Sequence, residues 1–125
     1  MVVGKEPEHE GLREPPVTGV ERNGDAVVVT LAGELDLYNA EAVRNVLNEE
    51  CARKPERVVI DLSRVDFIDS TALGVLIEAR TKLENHSAFL LASPAVETRR
   101  ALEISGLDRH FGMHDSLDAA LTAKL

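Results

Sequence analysis

Residues 58–80 read VVIDLSRVDFIDSTALGVLIEAR. The stretch from Arg57 to Leu62, RVVIDL, is apolar and β-branched around a single aspartate, which predicts a buried strand. From Thr71 to about Asn85 the spacing changes. Leu73, Leu76, Ile77 and Leu83 recur on one side of a helix. A strand that runs into a helix within a dozen residues is the repeating unit of an α/β sheet. The turn between them carries Asp66 and Asp69, then two adjacent hydroxyls, Ser70 and Thr71. Asp69 or Ser70 as helix N-cap would contribute about 1 kcal/mol. Free N–H groups and the positive dipole end at the same place also suit a phosphate. Spacing alone permits both uses of these hydroxyls.

The flanking sequence extends the pattern. Val17 to Arg22 and Ala26 to Leu31 surround Asn23-Gly24, a strong hairpin signal because both residues tolerate positive φ. Gly33 is expected to end the second strand, and Asn39 to cap a helix from about 40 to 53. Val43, Val46, Leu47 and Cys51 share one stripe of that helix, so Cys51 reads as a core residue. Ala88 to Ala92, AFLLA, is a third apolar strand. Ser93-Pro94 is expected to open a helix that stops at Gly106. Phe111 to His114 is a candidate edge strand, and Ser116 is expected to cap a last helix. The fold class is therefore α/β. It is expected to be a four- to five-stranded mixed sheet, an N-terminal hairpin followed by parallel strands, with about four helices. Residues 1–15, polar and rich in Glu and Pro, read as a flexible acidic tail, and 16–125 as one domain.

Composition narrows the function. The net charge is −8, opposite in sign to what nucleic acid or an anionic membrane would attract. Aromatic residues make up 3% of the chain, too few for base-stacking platforms. An acidic surface suits solubility and a basic protein partner. The single cysteine excludes an internal disulfide and fits a reducing compartment. No apolar run approaches the roughly 18 residues of a membrane span, and no signal-peptide core is visible at the start. Cytoplasmic location is the expectation.

No catalytic constellation stands out. There is no P-loop, no dinucleotide fingerprint after a strand and no nucleophile elbow. His110 and His114 are four apart, but Gly112 lies between them in what reads as loop or strand, so no metal site is expected. Asp61, at an expected strand end, raises a phospho-aspartate receiver. The lysines at 5, 54, 82 and 124 are wrongly placed for one. Neither catalytic residues nor a cofactor are expected.

GELDLYNAEAV at 33–43, the stretch at 58–80 and ASPAVETRRALEISGLDRHF at 92–111 together resemble the STAS domain family. The likeness spans about residues 16–123 and is greatest to bacterial anti-sigma factor antagonists. The resemblance implies a regulatory protein, not an enzyme. Unphosphorylated, such a protein binds an anti-sigma factor with serine kinase activity and frees a sigma factor. The kinase then phosphorylates the serine after the motif aspartate, and a serine phosphatase resets the cycle. That serine matches Ser70, with Thr71 as a second hydroxyl. Asp36, Asp69, Ser70, Thr71, Leu73 and Gly74 match the family's partner-binding positions. Ala72 stands where the motif has Gly, which favours the helix. No nucleic acid or membrane partner is implied, and a monomer or weak dimer is expected. The alternative role is a STAS module in another complex, such as a lipid transport subunit or a signalling scaffold.

Overall fold

A computed structural model describes residues 14–125. The tail expected over 1–15 lies, but for Glu14 and Pro15, outside the described residues. The strands are β1 (Val17–Asn23), β2 (Ala26–Leu35), β3 (Arg57–Ile68), β4 (Phe89–Ala92) and β5 (Gly112–His114). The helices are α1 (Ala40–Ala52), α2 (Ser70–Arg80), α3 (Val96–Ser105) and α4 (Leu117–Thr122). One five-stranded sheet has the order β1-β2-β3-β4-β5. β1 pairs antiparallel with β2, and every other pair is parallel.

The apolar runs of β2 and β3 follow from the two-sided burial of the sheet. Val27, Val29 and Leu31 face the larger core with Val58, Ile60 and Leu62. α1 adds Val43, Leu47 and Cys51 to it, α2 adds Leu73 and Leu76, and α3 adds Leu102. Val28 and Val59 point the other way, into a smaller core closed by Ala120 of α4. Successive side chains alternate faces, so a strand covered on both must be apolar throughout.

Several local expectations shift. The hairpin loop is Gly24-Asp25, because Asn23 still pairs with Ala26, and Gly24 takes φ +64. Gly33 does not end β2. It adopts φ +77 at a register shift, and the strand continues to Leu35. β3 likewise runs six residues beyond Leu62, so Asp61 lies inside a strand, its Oδ1 accepting from the Ser63 N–H at 3.0 Å. Ser63, Arg64 and Asp66 concealed this extension, since an apolar-run reading stops at polar residues. α2 ends at Arg80, where the Thr81 hydroxyl donates to the Glu78 carbonyl at 2.6 Å. Ser93 does not start α3. Its N–H donates to the His114 carbonyl at 2.9 Å, and the helix begins two residues after Pro94. Gly106 and Ser116 end and begin their helices as expected, with φ +78 and a 3.0 Å bond from the Ala119 N–H.

Two features lock α1 in place. Arg22 of β1 donates twice to the buried Glu50 carboxylate, at 3.1 and 2.8 Å. Cys51 is buried, 3.7 Å from the Ala79 carbonyl. Burial, reinforced by the Glu50 charge, pushes its thiol up from the ordinary 9.0. The fold thus favours the neutral thiol. Its contribution is complete below the unfolded value and declines as pH rises through the folded one. Denaturation curves at successive alkaline pH values should show a fall approaching about 1.4 kcal/mol per pH unit at most. A Cys51→Ala protein should lack that component of the slope; an unchanged slope would contradict it.

Candidate functional site

The β2–α1 loop and the β3–α2 turn emerge side by side, because Leu35 pairs with Ile68 at the carboxyl ends of the two strands. Ligand sites of α/β sheets gather at such ends. The Asp69 N–H donates to the Leu35 carbonyl at 3.0 Å and carries the pairing one step further.

Asp69 is the N-cap of α2. Its Oδ1 accepts from the Ala72 N–H at 2.9 Å, and its carbonyl accepts from the Leu73 N–H at 2.9 Å. The other carboxylate oxygen, Oδ2, accepts from the Leu37 N–H at 3.1 Å. One side chain therefore caps the helix and clamps the neighbouring loop. The cap that the sequence left between Asp69 and Ser70 belongs to Asp69.

The loop is also tied within itself. Asp36 Oδ1 accepts from the Tyr38 and Asn39 N–H groups at 3.0 and 3.3 Å. Asn39 Oδ1 accepts from the Asp36 N–H at 2.9 Å, and its amide Nδ2 donates to the Glu34 carbonyl at 2.9 Å. Asn39 precedes α1 as expected, yet its side chain makes no cap bond to that helix. It is recruited backwards, to hold the loop. Such Asx bonding offers the backbone partners where no strand or helix does. The result is a hydrogen-bonded tip that leaves Leu37 60% and Tyr38 81% exposed.

Ser70 and Thr71 occupy the first two helical positions and are exposed. Neither hydroxyl makes a hydrogen bond to another described residue. Gly74, one turn on, is exposed, and a β-carbon placed there would meet nothing within 4 Å. Leu73 does not join this surface. It is buried in the core, so it supports the helix from beneath and presents no docking side chain. Asp66 and Phe67, at the end of β3, are exposed beside the turn. Asp36, Asp69, Ser70, Thr71 and Gly74 thus gather at one end of the sheet.

The exposed Leu37, Tyr38 and Phe67 escaped the sequence reading. A signal existed: Tyr38 is the only tyrosine of a chain poor in aromatics, and it lies in a loop. Gly74→Ala gives a further check. A mid-helix glycine with open space around it weakens the helix for no packing reason, so the change should stabilise the fold by roughly 0.5–1 kcal/mol. A lowered denaturation midpoint would show that the site is more crowded than it stands.

Among the described residues no helix is long and apolar enough to cross a membrane, and no three metal-ligating side chains converge. The profile of the STAS domain matches residues 18–120. The anti-sigma-F factor antagonist RsfB of Mycobacterium tuberculosis is 36% identical over 106 residues, covering 85% of this chain and 86% of that protein. The anti-sigma F factor antagonist of Paenibacillus polymyxa is 33% identical, covering 82% and 90%. The crystal structure of an anti-sigma factor antagonist from Mycobacterium paratuberculosis superposes with a TM-score of 0.80 at 33% identity, covering 88% of this chain and 95% of that one.

Proposed function

The chain belongs to the STAS domain family, and on that premise we propose that it is an anti-sigma factor antagonist switched by phosphorylation of Ser70. Unphosphorylated, it binds an anti-sigma factor that is also a serine kinase, and a sigma factor is released. The Ser70 oxygen then attacks the γ-phosphorus of the kinase's ATP. The hydroxyl proton leaves, ADP departs, and the complex separates. A serine phosphatase hydrolyses the phosphoserine. The protein supplies no catalytic group; it supplies an acceptor and a docking face.

The observation that carries this reading is the free hydroxyl of Ser70 at the first turn of α2, with the cap already provided by Asp69. A residue needed as cap would lose its bond on modification. Ser70 can gain a phosphate without breaking any hydrogen bond of the fold, next to N–H groups that favour an anion. Thr71 is exposed as well, and the choice of Ser70 rests on its place after Asp69 in the motif. The docking face takes in Asp36, Asp69, Ser70, Thr71 and Gly74, joined by Leu37, Tyr38 and Phe67. Asp36 and Asp69 act through the loop they hold.

The test is incubation with the host's anti-sigma factor kinase and Mg-ATP, followed by intact mass and fragment mapping. One phosphate on Ser70, absent in Ser70→Ala, is expected. No phosphate, or phosphate on Thr71 alone, would overturn the assignment. Tyr38→Ala should weaken kinase binding by roughly 10- to 30-fold, as loss of a central aromatic anchor does. Its thermal midpoint should stay unchanged, because Tyr38 packs against little.

A further inference from the structure

Beside this face lies a cavity of about 220 Å³, lined by Asp66, Phe67 and Ile68 from the end of β3 and by Glu97, Thr98 and Ala101 from α3. It is smaller than the roughly 300–1,000 Å³ of small-molecule sites, and nearer the size of one long side chain. Its chemistry is specific. Thr98 is 2% exposed, and its Oγ1 has no hydrogen-bond partner among the described residues. A buried acceptor left unpaired costs free energy that an incoming N–H donor would recover. Asp66 and Glu97 stand at the same cavity, and neither has an ion-pair partner among the described residues. Phe67 is 53% exposed and adds an aromatic wall. No lining residue is basic.

We propose that this cavity is a socket for an arginine side chain of the protein that docks over Ser70. The inference rests on that docking face being the one used. The fit is chemical throughout. The methylenes of arginine would lie along Ile68 and Ala101, and the planar guanidinium would stack on Phe67. Its five N–H donors suffice for both carboxylates, and for the Thr98 oxygen once the cavity wall that closes it from solvent moves aside. Lysine offers a point charge without the stacking plane. A divalent cation would want six or more oxygen ligands, and here two carboxylates face apolar walls. The socket lies beside Ser70 and is separate from it. It therefore gives the acidic protein a positive, orienting contact that phosphorylation does not touch directly, and it selects a partner with arginine at the matching place.

The test uses the isolated protein and N-acetyl-arginine-methylamide as probe, followed by backbone amide shifts. Saturable shifts confined to 66–68 and 97–101 are expected, shrinking at high salt. The citrulline analogue, equal in shape but uncharged, should leave those amides unmoved. Asp66→Asn with Glu97→Gln should abolish the arginine shifts while the remaining spectrum stays that of the folded protein. Equal shifts from citrulline, shifts spread over all acidic residues, or no saturable shift would overturn the proposal. Phosphorylation of Ser70 is read separately by mass. Either result can therefore fail without the other.

Discussion

Ser70→Asp should bind the anti-sigma factor kinase about 100-fold more weakly than the wild type, whereas Ser70→Ala should bind normally and resist release by ATP. The asymmetry follows from the surroundings of the hydroxyl. Phosphate adds about −1.5 to −2 charges, and aspartate about half of that. Either arrives next to Asp69 on a chain of net charge −8. Inside the protein the added charge is tolerated, because it sits on the first turn of α2 and no bond of the fold depends on the Ser70 oxygen. At an interface shaped around a neutral hydroxyl, the same charge must be desolvated without a partner. A cost of about 3 kcal/mol there corresponds to roughly 100-fold in affinity. Alanine removes the acceptor and leaves the shape, so the complex forms and cannot be dissolved. Calorimetry on wild type, both variants and the phosphorylated protein measures the difference. Equal affinities across the four would end the case for a charge switch.

Asp69→Ala should cost about 1–3 kcal/mol of stability and also weaken kinase binding, and Asp69→Asn should separate the two effects. Alanine removes the N-cap of α2, worth roughly 0.5–2 kcal/mol. It also frees the Leu37 N–H, whose partner is Asp69 Oδ2. Asparagine keeps one oxygen, which can still cap the helix through the Ala72 N–H. It places an amide nitrogen where Leu37 needs an acceptor. The Asn variant should therefore keep most of its stability, lose protection of the Leu37 amide in hydrogen exchange, and dock poorly because Leu37 and Tyr38 are no longer held. Full binding by Asp69→Asn with a mobile loop would show that the clamp does not shape the docking face.

The parts of this site that were legible in the sequence are those governed by short-range chemistry. The acid before the serine, and the strand and helix on either side, are adjacent in the chain, and their roles follow from capping and periodicity. Gly106 and Ser116 were readable for the same reason. Ser93 does not cap α3, whereas Asn39 holds the N-cap position of α1 without giving that helix a side-chain bond. The Ser93 hydroxyl donates to the Asp115 carbonyl at 3.3 Å, and the Asn39 side chain turns back to Glu34 and Asp36. A side chain that bonds other backbone groups leaves the N–H groups of its helix uncapped.

By itself the sequence determined that the chain is α/β, that its apolar inner strands are covered on both faces, and that an acidic turn ends in two hydroxyls at a helix start. Hydrophobic period and helix-end chemistry act over a few residues and need no tertiary partner. Only the tertiary structure decided which residue is the cap, because Asp69 has two oxygens and the second finds its donor 32 positions away in sequence, on Leu37. The pairing of β2 with β3 brings these two together. With the cap assigned to Asp69, the Ser70 oxygen is left with no structural duty, and a phosphate can use it.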